Sequence, residues 1–92
     1  MSNMEMMVEN LIDAQDNNET VTISYFVNGG GFCIDIKIIP DVMVTGNWIE
    51  ITDRASEYET RISFSLDKNA NYDPECEEYS IEFGDAVIVI SS

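Results

Sequence analysis

Between three glycines and a proline, the segment Phe32-Cys33-Ile34-Asp35-Ile36-Lys37-Ile38 alternates large apolar residues with Cys33, Asp35 and Lys37. Phe32, Ile34, Ile36 and Ile38 share one face of an extended backbone and the intervening three share the other. That period of two suits a half-buried strand and not a helix. Gly29, Gly30 and Gly31 supply turn conformations before it, and Pro40 withdraws an amide donor after it. A chain built on this strand needs a sheet with one dry face, and the other segments must provide its partners.

Most of them read the same way. Val21, Ile23, Tyr25 and Val27 alternate with Thr20, Thr22 and Ser24, so 20–27 is a strand joined to the first through a hairpin over Asn28 and the glycines. Asp41-Val42-Met43-Val44 continues a bent strand past Pro40. Trp48-Ile49-Glu50-Ile51-Thr52 resumes alternation, and 53–57 is a polar turn. Tyr58, Thr60, Ile62, Phe64 and Leu66 form one face of a further strand, and 67–77 reads as the longest loop. Tyr79-Ser80-Ile81-Glu82-Phe83 turns through Gly84-Asp85 into Ala86-Val87-Ile88-Val89-Ile90, a last strand apolar on both sides, which predicts cover on both. Ahead of all this, Ser2-Asn3-Met4-Glu5 has capping-box spacing, and Met4, Met7, Val8, Leu11 and Ile12 form an apolar stripe. The sequence therefore predicts an α+β, mostly β single domain over 1–92. It has a helix at about 3–16 and a five- or six-stranded antiparallel meander over about 20–91, either a strongly bent sheet or a small SH3/Sm-like barrel.

Charge sets the functional limits. Eighteen acidic residues stand against four basic ones, a net charge of −14, and histidine is absent. The commonest general base and the commonest metal ligand are thus missing. Cys33 has apolar neighbours and Cys76 stands between Glu75 and Glu77, which disfavour a thiolate. The triple glycine precedes a strand without a nearby lysine, so it reads as a hairpin turn and not as a phosphate loop. The chain is read as a non-enzyme without cofactor. Two cysteines make no disulfide framework and no apolar run nears the ~20 residues of a membrane span, so the expected location is the cytoplasm. Asn18-Glu19-Thr20 is then a sequon without use. One metal pattern stands out: from Asp67, oxygen-bearing side chains fall at Asn69, Asn71, Asp73, Glu75 and Glu78, the spacing of a calcium loop. Tyr72 replaces the turn glycine and the flanks are strands, so Asp67, Asn69, Asn71, Asp73 and Glu78 form a weak calcium candidate beside the plainer reading of a solvated loop.

The acidic residues remain as a set. Asp73, Glu75, Glu77, Glu78 and Glu82 crowd one region, followed by Asp85, and Glu5, Glu9, Asp13 and Asp16 form a helix ridge with no cation among them. Solubility alone asks for a net charge of about 2 to 8 in magnitude, and same-sign crowding opposes compaction. In size and charge the chain resembles phage-encoded DNA mimics, including anti-restriction and anti-CRISPR inhibitors. The resemblance implies a partner-binding role for those nine carboxylates, which would imitate phosphates toward a basic nucleic-acid-binding protein or nuclease. It also implies action in the host-cell cytoplasm, with no direct binding of nucleic acid or membrane. Two other readings fit the same residues. One is an immunity protein neutralising a basic nuclease toxin, anchored by aromatics such as Trp48 or Tyr58. The other is an assembly module whose acidity serves solubility and which pairs with a second copy through a strand edge. Trp48, Tyr58 and Tyr79 are expected in the core or the sheet wall.

Overall fold

The computed structural model describes residues 2–27, 32–54 and 61–91. Helix α1 (Asn3–Asn17) begins as its sequence requires. Ser2 Oγ accepts from the Glu5 amide at 3.1 Å and Glu5 Oε1 accepts from the Ser2 amide at 3.4 Å, a pairing that contributes about 1 kcal/mol. It ends at Asn18, whose left-handed φ of 54° lets its amide donate to the Ala14 and Gln15 carbonyls. Met4, Met7, Leu11 and Ala14 are buried. Ile12, expected on that stripe, is 37% exposed instead, because the buried face is centred between Met7 and Leu11 and takes the small Ala14 at its edge.

Eight strands follow among the described residues, where five or six are expected: β1 (Val21–Val27), β2 (Phe32–Ile38), β3 (Pro40–Thr45), β4 (Trp48–Asp53), β5 (Arg61–Ser65), β6 (Ala70–Asp73), β7 (Glu78–Phe83) and β8 (Ala86–Ser91). The antiparallel pairing makes two sheets, β2-β1-β8-β7-β6 and β3-β4-β5. Two sharp corners account for the higher count. At the first, β2 runs into β3 through Ile39 alone, the bent strand read from the sequence. The Ile39 amide donates to Asp53 Oδ1 at 3.3 Å and its carbonyl accepts from the Arg54 amide at 2.9 Å. At the second, the expected long loop over 67–77 is divided by β6, which pairs with β7 over Ala70↔Ile81 to Asp73↔Glu78. The Leu66 amide donates to the Asn47 carbonyl at 2.6 Å, fixing that corner. Chain continuity at both corners joins the two sheets along both edges, so the strands surround one core. The hairpin expected over 28–31 and the strand start expected at Tyr58 and Thr60 lie outside the described residues.

Alternation decides what fills that core. Val21, Ile23, Ile38, Tyr79, Ile81 and Ile90 point inward from the larger sheet, and Ile49, Ile51 and Phe64 from the smaller. Phe64 meets Phe83 edge-on across the gap with ring centres 5.9 Å apart. Burial of each large side chain contributes roughly 1.5–3 kcal/mol. Helix α1 contacts β3 and β6, the strands just beyond the two corners, and closes one end of the core. The inner face of β8 is covered as expected. Its outer face is not packed by the helix or the smaller sheet, and Val87 and Val89 stay half-buried beside Phe26, which is 39% exposed. No helix among the described residues is long and apolar enough to cross a membrane.

Candidate functional site

The nine carboxylates singled out in the sequence lie on two elements. Glu5, Glu9, Asp13 and Asp16 are exposed along the solvent side of α1. At 1.5 Å of rise per residue, successive members stand roughly 4.5–6 Å apart along the axis. Asp73, Glu75, Glu77, Glu78 and Glu82 belong to the β6–β7 hairpin: Asp73 closes β6, Glu75 and Glu77 lie in the turn over 74–77, and Glu78 and Glu82 belong to β7. Since Tyr79 and Ile81 point inward, Glu78 and Glu82 project from the outer face, and Asp73 opposite Glu78 does the same.

Tertiary packing brings helix and hairpin together. Asn3 Nδ2 donates to the Ala70 carbonyl at 3.1 Å and Asn10 Nδ2 to Tyr79 Oη at 3.2 Å, two contacts that lie two helical turns apart. Asn10 and Glu77 line one narrow cleft with Met7, Leu11 and Tyr79. The acidic turn therefore stands against the flank of α1 at Asn10.

This strip carries local costs. Asp73 and Glu78 are direct cross-strand neighbours, a like-charge arrangement that costs up to about 1 kcal/mol. Glu77 holds a φ of 54°, a left-handed conformation that penalises a residue with a Cβ by roughly 1–2 kcal/mol. Asp13 and Asp16 lie near the negative end of the helix dipole, and the last turn contains no basic residue. The cation for that end comes from elsewhere: Arg54 donates to the Gln15 carbonyl at 3.3 Å and to Asn18 Oδ1 at 2.8 Å. None of the nine carboxylates makes an ion pair among the described residues. Arg54 pairs with Asp41 and Arg61 with Glu50, while the Lys68 ammonium lies 5.5 Å above the Phe83 ring. Asp73 Oδ1 accepts from the Glu75 amide at 3.0 Å, which shapes the turn.

Both thiols are held protonated. The carboxylates of Asp73 and then Glu78 push Cys76 above the ordinary range; desolvation and a hydrogen bond to Asp73 add to this. For Cys33, desolvation is the first cause, joined by the nearby Asp35 carboxylate, 3.8 Å from the sulfur. The neighbours of Cys76 that matter are thus cross-turn, not the sequence-adjacent Glu75 and Glu77. Of the calcium candidates, Asp67 and Asn69 lie ahead of β6, Asn71 and Asp73 within it and Glu78 on β7, so they span a corner and a hairpin in place of one loop. Among the described residues no group of three or more Asp, Glu, Cys or His side chains could hold a metal ion.

Two further residues deserve a place beside the acids. Trp48, expected in the core or wall, is 58% exposed, and Met43 on the neighbouring strand is 59% exposed. The signal was in the alternation: Trp48 is in phase with Glu50 and Thr52, and Ile49 and Ile51 take the inner face. Tyr79, in phase with Ile81 and Phe83, is buried. Tyr58 lies outside the described residues. No protein-family model, curated protein or solved structure matches this chain.

Proposed function

We propose that this chain is a non-enzymatic inhibitor whose helix and hairpin carboxylates stand in for nucleic-acid phosphates and occupy the basic nucleic-acid-binding surface of a partner protein. The observation that carries this reading is where the charge is concentrated. Nine carboxylates, none in an ion pair among the described residues, run from Glu5 on α1 to Glu82 on β7, and three of them sit where the fold is penalised for holding them, at the Asp73↔Glu78 pair and at Glu77. Strained and repulsive arrangements persist where a site has a use for them. A partner lined with Lys and Arg relieves the repulsion by binding, as such a surface does when it neutralises phosphates. Complementary charge also speeds the encounter and makes it sensitive to salt. The role needs no nucleophile, which agrees with two thiols pushed away from the thiolate. Such an inhibitor acts in the cytoplasm, where its target meets nucleic acid, and the likeness to anti-restriction and anti-CRISPR proteins in size and charge belongs to the same proposal.

Affinity capture tests it. The immobilised chain is compared with one carrying Asp73→Asn, Glu75→Gln, Glu77→Gln, Glu78→Gln and Glu82→Gln, and with one carrying Glu5→Gln, Glu9→Gln, Asp13→Asn and Asp16→Asn. Glutamine at position 5 preserves the capping box. The expected result is a nucleic-acid-binding protein retained by the native chain, released by duplex DNA and lost from the hairpin variant. Equal retention by all three chains, or no release by DNA, contradicts the proposal.

A further inference from the structure

The outer face of the smaller sheet is built unlike the rest of the surface. It is formed by Asp41, Met43 and Thr45 of β3, Trp48, Glu50 and Thr52 of β4, and Arg61, Ser63 and Ser65 of β5, as the register and burial alternation require. Met43 and Trp48 are the most exposed large apolar residues described. They flank a shallow cleft of about 180 Å³ also lined by Glu50 and Ser63, and Met43 borders a second of about 150 Å³ toward Asp41 and Thr52. The charges here are matched: Arg61 Nε lies 3.1 Å from Glu50 Oε1, and Arg54 Nη2 lies 3.9 Å from Asp41 Oδ1.

We infer that this face receives a second copy of the chain about a two-fold axis, with Trp48 of each copy seated in the Met43 cleft of the other. Charge selects the occupant. Each copy carries −14, so most mutual approaches set like charges against each other. The outer face of the larger sheet presents Asp35, Asp73, Glu78 and Glu82 against Lys37 alone, and the helix ridge presents four carboxylates. The Trp48 face has its two acids paired and an apolar centre, so two copies meet there without like charges opposed at the contact itself, although the whole chains still repel. A basic partner gains little on a face whose carboxylates already hold arginines. A two-fold contact is self-complementary and needs only this one patch. Three strands about 4.8 Å apart, two of six residues and one of five, cover roughly 300 Å² in projection, against the ~800 Å² per partner of a standard interface. The dimer is accordingly reversible and depends on concentration.

Trp48 is the chain's single tryptophan, so its fluorescence reports the contact directly. The expected result is a blue shift of emission with rising protein concentration, matched by growth of a dimer in sedimentation. Added salt should strengthen both, because it screens the −14 repulsion, whereas it weakens binding to a basic partner. Met43→Glu, read by emission, and Trp48→Ala, read by sedimentation, should each weaken association about tenfold or more, since a seated tryptophan is a typical hot spot. Phe26→Ala, on the other sheet, should leave it unchanged, and circular dichroism should stay native in all three because the side chains are exposed. A chain that sediments as a 10.4 kDa monomer at millimolar concentration and high salt overturns the proposal. So does dimerisation undiminished in both face variants, or a Trp48 shift produced by poly-lysine at low salt and never by the chain's own concentration.

Discussion

The two sheets share one core and present opposite outer faces. On the larger, Phe26, Val87 and Val89 form an apolar stripe beside Asp35, Asp73, Glu78 and Glu82. On the smaller, Trp48 and Met43 stand among acids already paired with arginine. Neither face is dictated by the core, which uses only the inward half of each strand. Apolar residues occur on both, so the difference lies in how charge is compensated. One face lies beside carboxylates that hold no cation among the described residues, as the proposed basic partner requires, and the other is neutralised, as the proposed self-association requires.

Removing the common support should have the largest effect. Phe64→Ala empties the place where the two sheets meet and should cost about 3–5 kcal/mol, seen as a large fall in urea midpoint together with loss of both faces. A smaller loss confined to one sheet would show that the faces are not carried by a single core. Next, Asp73→Lys with Glu78→Lys and Glu82→Lys should weaken binding to a basic partner by about 2–5 kcal/mol while Trp48 emission keeps its dependence on concentration. A parallel change in both readouts would erase the distinction between the faces.

The smaller effects concern stability and reactivity. Glu77→Gly relieves a left-handed backbone and removes one charge; set against the extra chain entropy of glycine, it should stabilise the fold by about 0.5–1 kcal/mol. Asp73→Asn should add a few tenths of a kcal/mol, up to about 1, by ending the opposition to Glu78. If denaturant midpoints fall in both variants, the hairpin is not where the charge is costly. For the thiols, alkylation at neutral pH should be slow at both sites and should rise as pH passes through their raised pKa values. Salt should accelerate Cys76 more than Cys33, because carboxylates are the first cause at Cys76 and desolvation at Cys33.

Much of the fold is legible in the sequence because it rests on short-range periodicity. The capping box, the strand over 32–38 and the final hairpin at Gly84 all appear where their residues require, whereas the corner falls at Ile39, one residue before Pro40, which opens β3. Strand β6 was hidden, since Ala-Asn-Tyr-Asp has little intrinsic preference for a strand and forms one only because β7 offers an edge. The division into two sheets depends on corners held by long-range contacts such as Leu66 to Asn47, which no local pattern encodes. The candidate carboxylates are visible as charge, but the approach of the hairpin turn to α1 depends on Asn3 and Asn10, which no local pattern marks. Trp48 is exposed because phase outweighs residue type: Glu50 and Thr52 mark its side of β4 as the wet one.

The central claim is that the carboxylates of this chain take the place of phosphates. It is tested most directly by measuring how the captured basic partner binds labelled duplex DNA as this chain is titrated at fixed salt. Phosphate mimicry requires mutual exclusion: the apparent Kd for DNA rises in proportion to the added chain, and no species contains all three components. A ternary complex, or a DNA affinity that the chain leaves unchanged, would contradict it and would place the contact at a neighbouring surface.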